Sequence, residues 1–431
     1  MATKENLGFV RSETDLFTEP GYDLSILSSC VNEYHPATTL SPTAPINFYI
    51  QGNDQQYIDF SKTKLKLTCK LTEPDGTILA AEAGKTLEEC PVNNLIASAF
   101  DRVSVYLNET EITPKTSLYP YQAYLETLLS YGSDYKKGQA EAGGFYRVAD
   151  ESSATDTGFT ARKTLSAGAA EFEIMGRPHG ELFKQTRYMI PGMDVRISFY
   201  RSSNPFCLEQ RGTSIKTPVL HILSAVLYVQ KVSLLPSLHM AHVKTLQKDP
   251  AVYPGKRVEM KSYGLPERTY QHTNEHLLNG LVPDRLIVGM VLTEAAQGEY
   301  KENPFNFQNF DLSQIIVTCN TEAPTQHTIN VDGKYLNGYM SLFDAMGLTY
   351  CDSGLDIKLA EYKKGKVLFG FDLRNLSDGF SIPRHGNVSI YLKFKKALDK
   401  PVTVIVYPEY PSIMYVNNNK QVTFKEYARS Y

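Results

Sequence analysis

A histidine–glutamate motif is the part of this sequence whose residue types could most directly support catalysis. His272, Glu275 and His276 match the H-x-x-E-H pattern, in which two histidines on one helix face bind zinc and the glutamate activates a water molecule. Pro266 and Gly280 bracket the segment, and no apolar stripe of helical period supports a helix. Because this chemistry needs the helix, we predict that these residues hold no metal.

The other polar clusters provide no candidate catalytic, cofactor-binding or metal-binding residues. His239 and His242 lie three residues apart beside Pro236 without a cysteine nearby, which is typical of a solvated linker. Gly143 and Gly144 do not lie between a strand and a helix, as a phosphate-binding loop requires. Carboxylates are abundant, but the sequence alone does not single out an acid–base pair. We therefore predict a protein that is not an enzyme and has no cofactor.

Composition and charge favour a globular protein that does not bind nucleic acid directly. The 431-residue chain has a net charge of −3, with 42% hydrophobic and 21% charged residues. In the first 20 residues, Lys4 and Arg11 are outnumbered by four acidic residues. A basic arm that could neutralise phosphates is therefore missing.

The N-terminus and the cysteines predict a protein that is made inside the cell and not secreted. The chain begins Met-Ala-Thr-Lys-Glu, without the apolar region of a signal peptide. The longest apolar stretch, residues 219–229, contains His221 and Ser224 and is too short to span a bilayer. None of the six cysteines forms a C-x-x-C pair, so we expect free, buried thiols in a reducing compartment and no membrane span.

Two helix-like segments interrupt a sequence that otherwise has strand patterns. Each follows the i, i+3, i+4, i+7 spacing of one buried helix face and ends at a glycine suited to a left-handed C-terminus. Their residues are Tyr121, Tyr124, Leu125 and Leu128 before Gly132, and Leu336, Tyr339, Met340 and Phe343 before Gly347. A Phe-Asp pair begins the strand before each helix, at residues 100–101 and 310–311. The pattern predicts one β-rich unit with a single prominent helix, present twice.

The strand patterns support this duplication. Apolar alternation at residues 195–199 has a counterpart at 388–394, and the run at 219–229 has one at 402–406. Ile58 and Phe60 have the opposite parity to Leu65 and the residues after it, which predicts a bulge between them. Short strands separated by turns and long loops predict an all-β fold of two tandem jelly-roll β-sandwiches, each with one inserted helix.

The predicted organisation has four parts. They are an extended N-terminal arm (1–45), a first jelly roll (46–236), a second jelly roll (237–410) and a C-terminal tail (411–431). The arm and the tail are candidates for clasping neighbouring molecules. Residues 133–170 are rich in Gly, Ala, Ser and Thr, which predicts a long, mobile surface loop without a counterpart in the second copy.

Six short segments carry a more specific signal. They are residues 119–132, 303–307, 311–313, 376–379, 15–17 and 33–36. In these segments the chain resembles the capsid-type proteins encoded by Polinton (Maverick) elements and the related adintoviruses. The resemblance extends over roughly residues 12–410 and is weakest in residues 133–170 and in the C-terminal tail.

The resemblance implies a hexon-like, double jelly-roll major capsid protein. In such proteins three chains form a homotrimer whose six jelly rolls approximate a hexagon, and these trimers tile an icosahedral shell. The implied partners are other copies of the chain, penton proteins and other minor capsid proteins. The implied location is the virion capsid, assembled inside the host cell.

Two alternative functions remain open at this stage. A penton or minor capsid protein is the first, although such proteins usually need only one jelly roll. A carbohydrate-binding or hydrolytic β-sandwich is the second, and it would need an aromatic-lined cleft and two facing carboxylates. The lack of tryptophan and of a signal peptide counts against this second alternative.

Overall fold

Two jelly-roll β-sandwiches make up the computed structural model, which describes residues 25–80, 83–214, 216–321, 324–331, 335–352, 354–374 and 384–424. This confirms the predicted all-β fold of two tandem jelly rolls. Each sandwich has two antiparallel sheets whose inner faces carry the alternating apolar residues of the sequence.

The first jelly roll contains ten strands. They are β1 (Ile26–Tyr34), β2 (Ile46–Ile50), β3 (Gln56–Thr72), β4 (Glu89–Pro91), β5 (Phe100–Leu107), β6 (Thr110–Glu111), β7 (Phe172–Gly176), β8 (Val195–Arg201), β9 (Leu208–Gln210) and β10 (Val219–Leu234). One sheet has the order β1-β10-β3-β7 and the other β2-β8-β5-β6, while β4 and β9 pair separately. The predicted bulge is confirmed, because the register of β10 on β3 shifts between Tyr228 and Gln230.

Ten further strands, all within the described residues, belong to the second jelly roll. They are β11 (Ala251–Val258), β12 (Lys261–Leu265), β13 (Gln271–Leu281), β14 (Arg285–Leu292), β15 (Leu312–Asn320), β16 (Thr325–Asn330), β17 (Leu368–Asp372), β18 (His385–Phe394), β19 (Val402–Val416) and β20 (Val422–Phe424). One sheet has the order β11-β19-β14-β17, with β12 and β20 also on β19, and the other has the order β13-β18-β15-β16.

The strand orders of the two jelly rolls are the same. When the eight main strands of each unit are counted along the chain, both units pair them as 1-8-3-6 and 2-7-4-5. In this scheme β8 corresponds to β18 and β10 to β19, as the apolar alternation predicted. The two units therefore share their topology and an apolar pattern, but very few identical residues.

Nine α-helices lie in the described parts of the chain. They are α1 (Leu95–Ser98), α2 (Tyr119–Ser130), α3 (Ser133–Lys137), α4 (Thr157–Leu165), α5 (Asn204–Cys207), α6 (Pro236–Leu246), α7 (Thr293–Gln297), α8 (Leu336–Met346) and α9 (Leu359–Tyr362). The two predicted helices are α2 and α8, and each follows the fifth main strand of its jelly roll. They are thus matched insertions in the two units.

The ends and the buried faces of these helices were predicted only in part. Gly347 caps α8 in the left-handed conformation (φ 69°), as predicted. Gly132 does not cap α2, because the chain is already extended at Tyr131. The predicted buried face of α8 is right only in part, since Tyr339 and Phe343 pack against the core but Leu336 is 52% exposed.

Small residues explain the buried face that α8 has instead. Gly338, Leu342 and Ala345 face the jelly roll. A Cβ atom on Gly370 of β17 would lie 2.7 Å from the Cβ of Ala345, so helix and strand approach too closely for large side chains. Leu342 is the large residue at the centre of this face, whereas Tyr339 and Phe343 are partly buried and Leu336 lies on the exposed side.

Part of the predicted N-terminal arm is a strand. Residues 26–34 form β1, which pairs with β10 at the edge of the first sheet. Most of β1 is exposed on both faces, so its sequence shows no alternation. The rest of the arm, residues 1–24, lies outside the described residues.

Part of the predicted C-terminal tail is also a strand. The strand β19 continues to Val416, beyond residue 410 where the second jelly roll was predicted to end, and β20 pairs with it. Pro411 is tolerated because it lies between the residues that pair with β14 and those that pair with β20. Residues 425–431 lie outside the described residues.

Candidate functional site

The helix α2 is buried between the two jelly rolls. Tyr119 and Ala123 belong to the apolar core of the first jelly roll. Tyr121, Tyr124 and Leu128 belong to the core of the second. One helix therefore joins two cores, which gives the contact between the jelly rolls the character of a protein interior.

An aromatic cluster forms the centre of this contact. The ring of Tyr124 stacks on Phe305 of the second jelly roll, with ring centroids 4.2 Å apart and an interplanar angle of 4°. Tyr121 meets the same ring edge-on at 5.7 Å. Phe307 covers Gly289 of β14, where a Cβ atom would lie 2.6 Å from the ring. Such aromatic pairs add about 0.5–1.5 kcal/mol each beyond the area that they bury.

A buried carboxylate fixes the polar end of the aromatic cluster. The hydroxyl of Tyr124 donates a hydrogen bond to Glu151 Oε1 at 3.0 Å, and Asn303 Nδ2 donates to Oε2 at 2.9 Å. Burial raises the pKa of the Glu151 carboxyl. Glu151 lies in the segment 133–170, so this segment contributes directly to the contact between the jelly rolls.

The prediction that residues 133–170 form a mobile surface loop is wrong. The segment contains α3 and α4, and several of its side chains are buried against the second jelly roll. The ammonium of Lys136 donates to the carbonyl oxygens of Leu128 (2.7 Å) and Leu355 (2.5 Å). Burial lowers the pKa of Lys136 to about 7.

Arg147 makes the main ion pairs between this segment and the second jelly roll. Its guanidinium donates to Asp356 Oδ2 at 3.0 Å and to both carboxylate oxygens of Glu361 at 2.8 Å. We call Lys136, Arg147 and Glu151, with the groups that they bind, the interdomain clamp. The many small residues in segment 133–170 predicted a loop. Composition alone does not reveal the groups with which its charged side chains pair.

A second carboxylate anchors α2 to the first jelly roll. Burial alone would raise the pKa of Glu126, but Lys184 and His179, each 3.0 Å away, outweigh it and hold that pKa at about 2. Glu126 of α2 is therefore ionised, and it is held by the ion pairs with Lys184 and His179.

The helix α8 has different surroundings. Its inward face packs on β17 of its own jelly roll, and the hydroxyl of Tyr339 donates to the carbonyl of Ile357 at 2.8 Å. Its outward side carries Leu336, and Tyr350 beyond the C-terminus of the helix is 99% exposed. The two matched helices therefore differ in whether a second jelly roll covers them.

The H-x-x-E-H segment lies in a strand, not in a helix. His272, Glu275 and His276 belong to β13, whose register on β18 shifts between Asn274 and Leu278. His272 stacks on the ring of Tyr263, with centroids 5.6 Å apart. The helix face that zinc chemistry would need is not formed, and the described residues contain no group of three or more potential metal ligands.

The other candidates from the sequence are two histidines and a glycine pair, and all of them contact neighbouring parts of the fold. His239 and His242 lie on α6, not in an irregular linker, and both Nδ1 atoms are within hydrogen-bond distance of the hydroxyl of Tyr57, at 3.4 and 3.0 Å. Every residue of α6 is at least partly exposed, as expected for a solvated segment. Gly144 has φ 77° and packs on α1, which makes the glycine pair a tight turn.

The cysteines are free thiols, as predicted, but the prediction that they are buried is wrong for two of the six. Cys69, Cys90, Cys207 and Cys319 are buried, whereas Cys30 and Cys351 are exposed. None of the described helices has both the length and the apolar character that crossing a membrane requires.

Comparison with known sequences gives one distant relative. No protein-family profile matches the chain. An uncharacterised protein of Caenorhabditis elegans is 22% identical over 408 residues, which cover 91% of this chain and 96% of the relative.

Comparison with solved structures identifies the fold. A chain from the Sputnik virophage structure superposes with a TM-score of 0.67 at 10% identity, covering 99% of this chain and 94% of the other. The mavirus major capsid protein superposes at 0.52 and 11% identity, covering 97% and 93%. The Faustovirus major capsid protein superposes at 0.52 and 9% identity, covering 92% of each. The chain thus has the double jelly-roll fold of viral major capsid proteins.

Proposed function

We propose that this chain is a structural, hexon-like major capsid protein that forms homotrimers and tiles an icosahedral shell. The observation that carries the proposal is the presence of two jelly rolls with the same strand order in one chain. Three such chains supply six similar units, which approximate sixfold symmetry and can pack as a hexagonal tile. A penton protein needs one jelly roll only.

The similarity to capsid proteins over nearly the full length of the chain supports this proposal. The mavirus and Faustovirus matches each cover more than nine-tenths of both proteins. The similarity in fold therefore extends over the whole double unit, and the proposed role is structural, not enzymatic. Penton and other minor capsid proteins are the further partners that an icosahedral shell of such trimers requires.

We also propose that the chain comes from a Polinton-type element or an adintovirus-like virus. The segments around α2 and at residues 303–307 carry this resemblance. The relative in a nematode, aligned over 91% of the chain, supports an origin in elements that animal genomes carry.

The proposed shell is assembled inside the host cell, and other proteins package the genome. The net charge of −3 supports this division, since a protein that gathers nucleic acid by charge needs an excess of basic residues. Salt-sensitive binding of DNA by the purified protein would contradict this part of the proposal.

Electron microscopy of the expressed chain tests the proposed function. We expect trimers of hexagonal outline, and shells or flat hexagonal sheets when penton protein is absent. Isolated monomers in every preparation of the full chain would contradict the proposal.

A further inference from the structure

A cavity of about 440 Å³ lies between the two jelly rolls, beside the aromatic cluster. Its walls come from α2 and the segment after β8 on one side, and from β12, α7 and β19 on the other. Tyr121, Ser202 and Ile405 are buried in it, whereas Ser203 and Gln297 are exposed, so the cavity opens to solvent. Its volume is within the range of about 300–1,000 Å³ that is usual for small-molecule sites.

Hydroxyl groups dominate the lining of this cavity. Eight lining residues carry one, namely six serines or threonines and the tyrosines Tyr121 and Tyr263. Asp101 is the one charged side chain among the described residues of the lining. Such a lining offers many donors and acceptors of hydrogen bonds and no cation. It therefore suits an uncharged ligand that carries several hydroxyl groups.

Three of these hydroxyl groups are buried without a hydrogen-bond partner among the described residues. They are Tyr121 Oη, Tyr263 Oη and Ser202 Oγ. The hydroxyls of Thr293 and Thr403, by contrast, lie 3.0 Å apart and pair with each other. A buried hydroxyl that makes no hydrogen bond destabilises a fold. Three of them on one cavity indicate groups that are placed for a polar ligand.

Aromatic rings lie beside the hydroxyl groups. Tyr121 and Phe206 meet edge to face with ring centroids 5.9 Å apart, and Tyr263 stacks on His272. The rings of Tyr121, Phe206 and Tyr263 all line the cavity. A sugar has apolar C–H faces and a rim of hydroxyls, so rings and hydroxyls side by side match both of its surfaces.

We propose that this cavity binds a neutral sugar, whose hydroxyls bond to those of Tyr121, Tyr263 and Ser202. The carboxylate of Asp101 accepts a hydrogen bond from a further sugar hydroxyl. A sugar acid is disfavoured, because Asp101 repels a carboxylate and the described lining provides no cation to offset that repulsion. The inference goes beyond the proposed capsid role and does not depend on it.

Saturation-transfer NMR on the purified full chain tests the proposal. The probes are D-glucose, D-galactose, D-mannose, L-fucose and N-acetylneuraminic acid, each at millimolar concentration. We expect transfer to at least one of the four neutral sugars and none to the sugar acid. Transfer to no neutral sugar, or equally strong transfer to N-acetylneuraminic acid, would overturn the proposal.

Removal of single hydroxyl groups distinguishes ligand binding from a structural role. Tyr121→Phe and Tyr263→Phe each remove a hydroxyl without a partner, so the dissociation constant for the sugar should rise about fivefold or more. The unfolding midpoint should not fall. Tyr339→Phe is the matched control, because its hydroxyl donates to the carbonyl of Ile357. It should lower the unfolding midpoint and leave sugar binding unchanged, and the same pattern in Tyr121→Phe would overturn the proposal.

Filling the cavity tests its position independently. Gly264 of β12 is exposed and lines the cavity, and a Cβ atom there would meet nothing within 4 Å. Gly264→Leu should therefore leave the fold intact and abolish saturation transfer to the sugar. Unchanged sugar binding in this variant would overturn the assigned site. A chain that forms trimers but binds no neutral sugar overturns this inference alone and leaves the capsid proposal standing.

Discussion

The two matched helices of this molecule have the same place in the chain topology and opposite surroundings. In the first jelly roll, α2 is buried by the neighbouring unit, and Tyr124 stacks on Phe305. In the second, α8 packs on its own β17 and leaves Leu336 half exposed. A duplicated element has become an internal joint in one copy, whereas in the other copy it remains available to a further molecule.

The segments that follow the two helices differ in length. Residues 133–170 connect α2 to β7 and supply the interdomain clamp, with Arg147 bound to Asp356 and Glu361. Residues 347–367 connect α8 to β17 and are shorter. The permanent joint is thus secured by buried, directional charge pairs, which fix the orientation of the two jelly rolls. The exposed side of α8 carries the apolar residue Leu336, which is 52% exposed.

Truncating Tyr124, at the centre of the joint, should have the largest effect on stability. Tyr124→Ala removes a fully buried ring and leaves Glu151 without one donor, so we expect the free energy of unfolding to fall by about 3–5 kcal/mol. Tyr339 has the same position in α8 but is half-buried, and Tyr339→Ala should cost about 1–2 kcal/mol. Denaturant unfolding at one fixed protein concentration measures both, and equal losses would contradict the comparison. Tyr350→Ala, at an exposed site, should change stability by less than about 0.5 kcal/mol.

Acid should weaken the α2 anchor in a defined pH range. The folded-state pKa of Glu126 lies below its usual 4.5, at about 2, so its contribution is complete above pH 4.5 and is lost as the pH falls towards 2. The shift corresponds to at most about 3 kcal/mol. In unfolding curves between pH 6 and 2, Glu126→Gln should lower stability at pH 6 and flatten the acid dependence.

Removing the guanidinium from the interdomain clamp should have an intermediate effect. Arg147→Met leaves two partly buried carboxylates without their donor, and we expect a loss of about 2 kcal/mol. Lys400→Met breaks the exposed pair with Glu294 and should cost less than about 1 kcal/mol. If thermal or denaturant unfolding gives similar losses for both variants, the clamp does not stabilise the joint.

The two glycines after the helices should give the smallest difference. Gly347 has φ 69°, so Gly347→Ala should cost about 1 kcal/mol through backbone strain. Gly132 has φ −80°, and the nearest atom to an added Cβ is 3.9 Å away, so Gly132→Ala should be neutral or slightly stabilising. The two unfolding midpoints measured side by side provide the test, and a cost at Gly132 equal to that at Gly347 would contradict the assigned conformations.

The sequence was informative wherever one face of an element is buried by its own jelly roll. Alternation at residues 195–199 and 388–394 predicted β8 and β18, because those strands have one apolar and one polar face. It was uninformative at β1, an exposed edge strand, and at the end of β19, where Pro408 and Pro411 interrupt the apolar pattern.

The buried face of α8 and the joint between the jelly rolls could not be predicted, each for a physical reason. Two of the three buried residues of α8, Gly338 and Ala345, are small, and a pattern based on large apolar residues misses them. The clamp depends on charges such as Arg147 and Glu361, which are far apart in sequence and look solvated until their partners are known. The aromatic residues of α2 were identified, but not that they pack against a second jelly roll.

The mass of the purified full-length chain in solution tests the central claim most directly. Static light scattering across a range of concentrations should give about three times the 48.4 kDa of the single chain, since three double units are needed for six jelly rolls. A stable monomer at every concentration would contradict the capsid account.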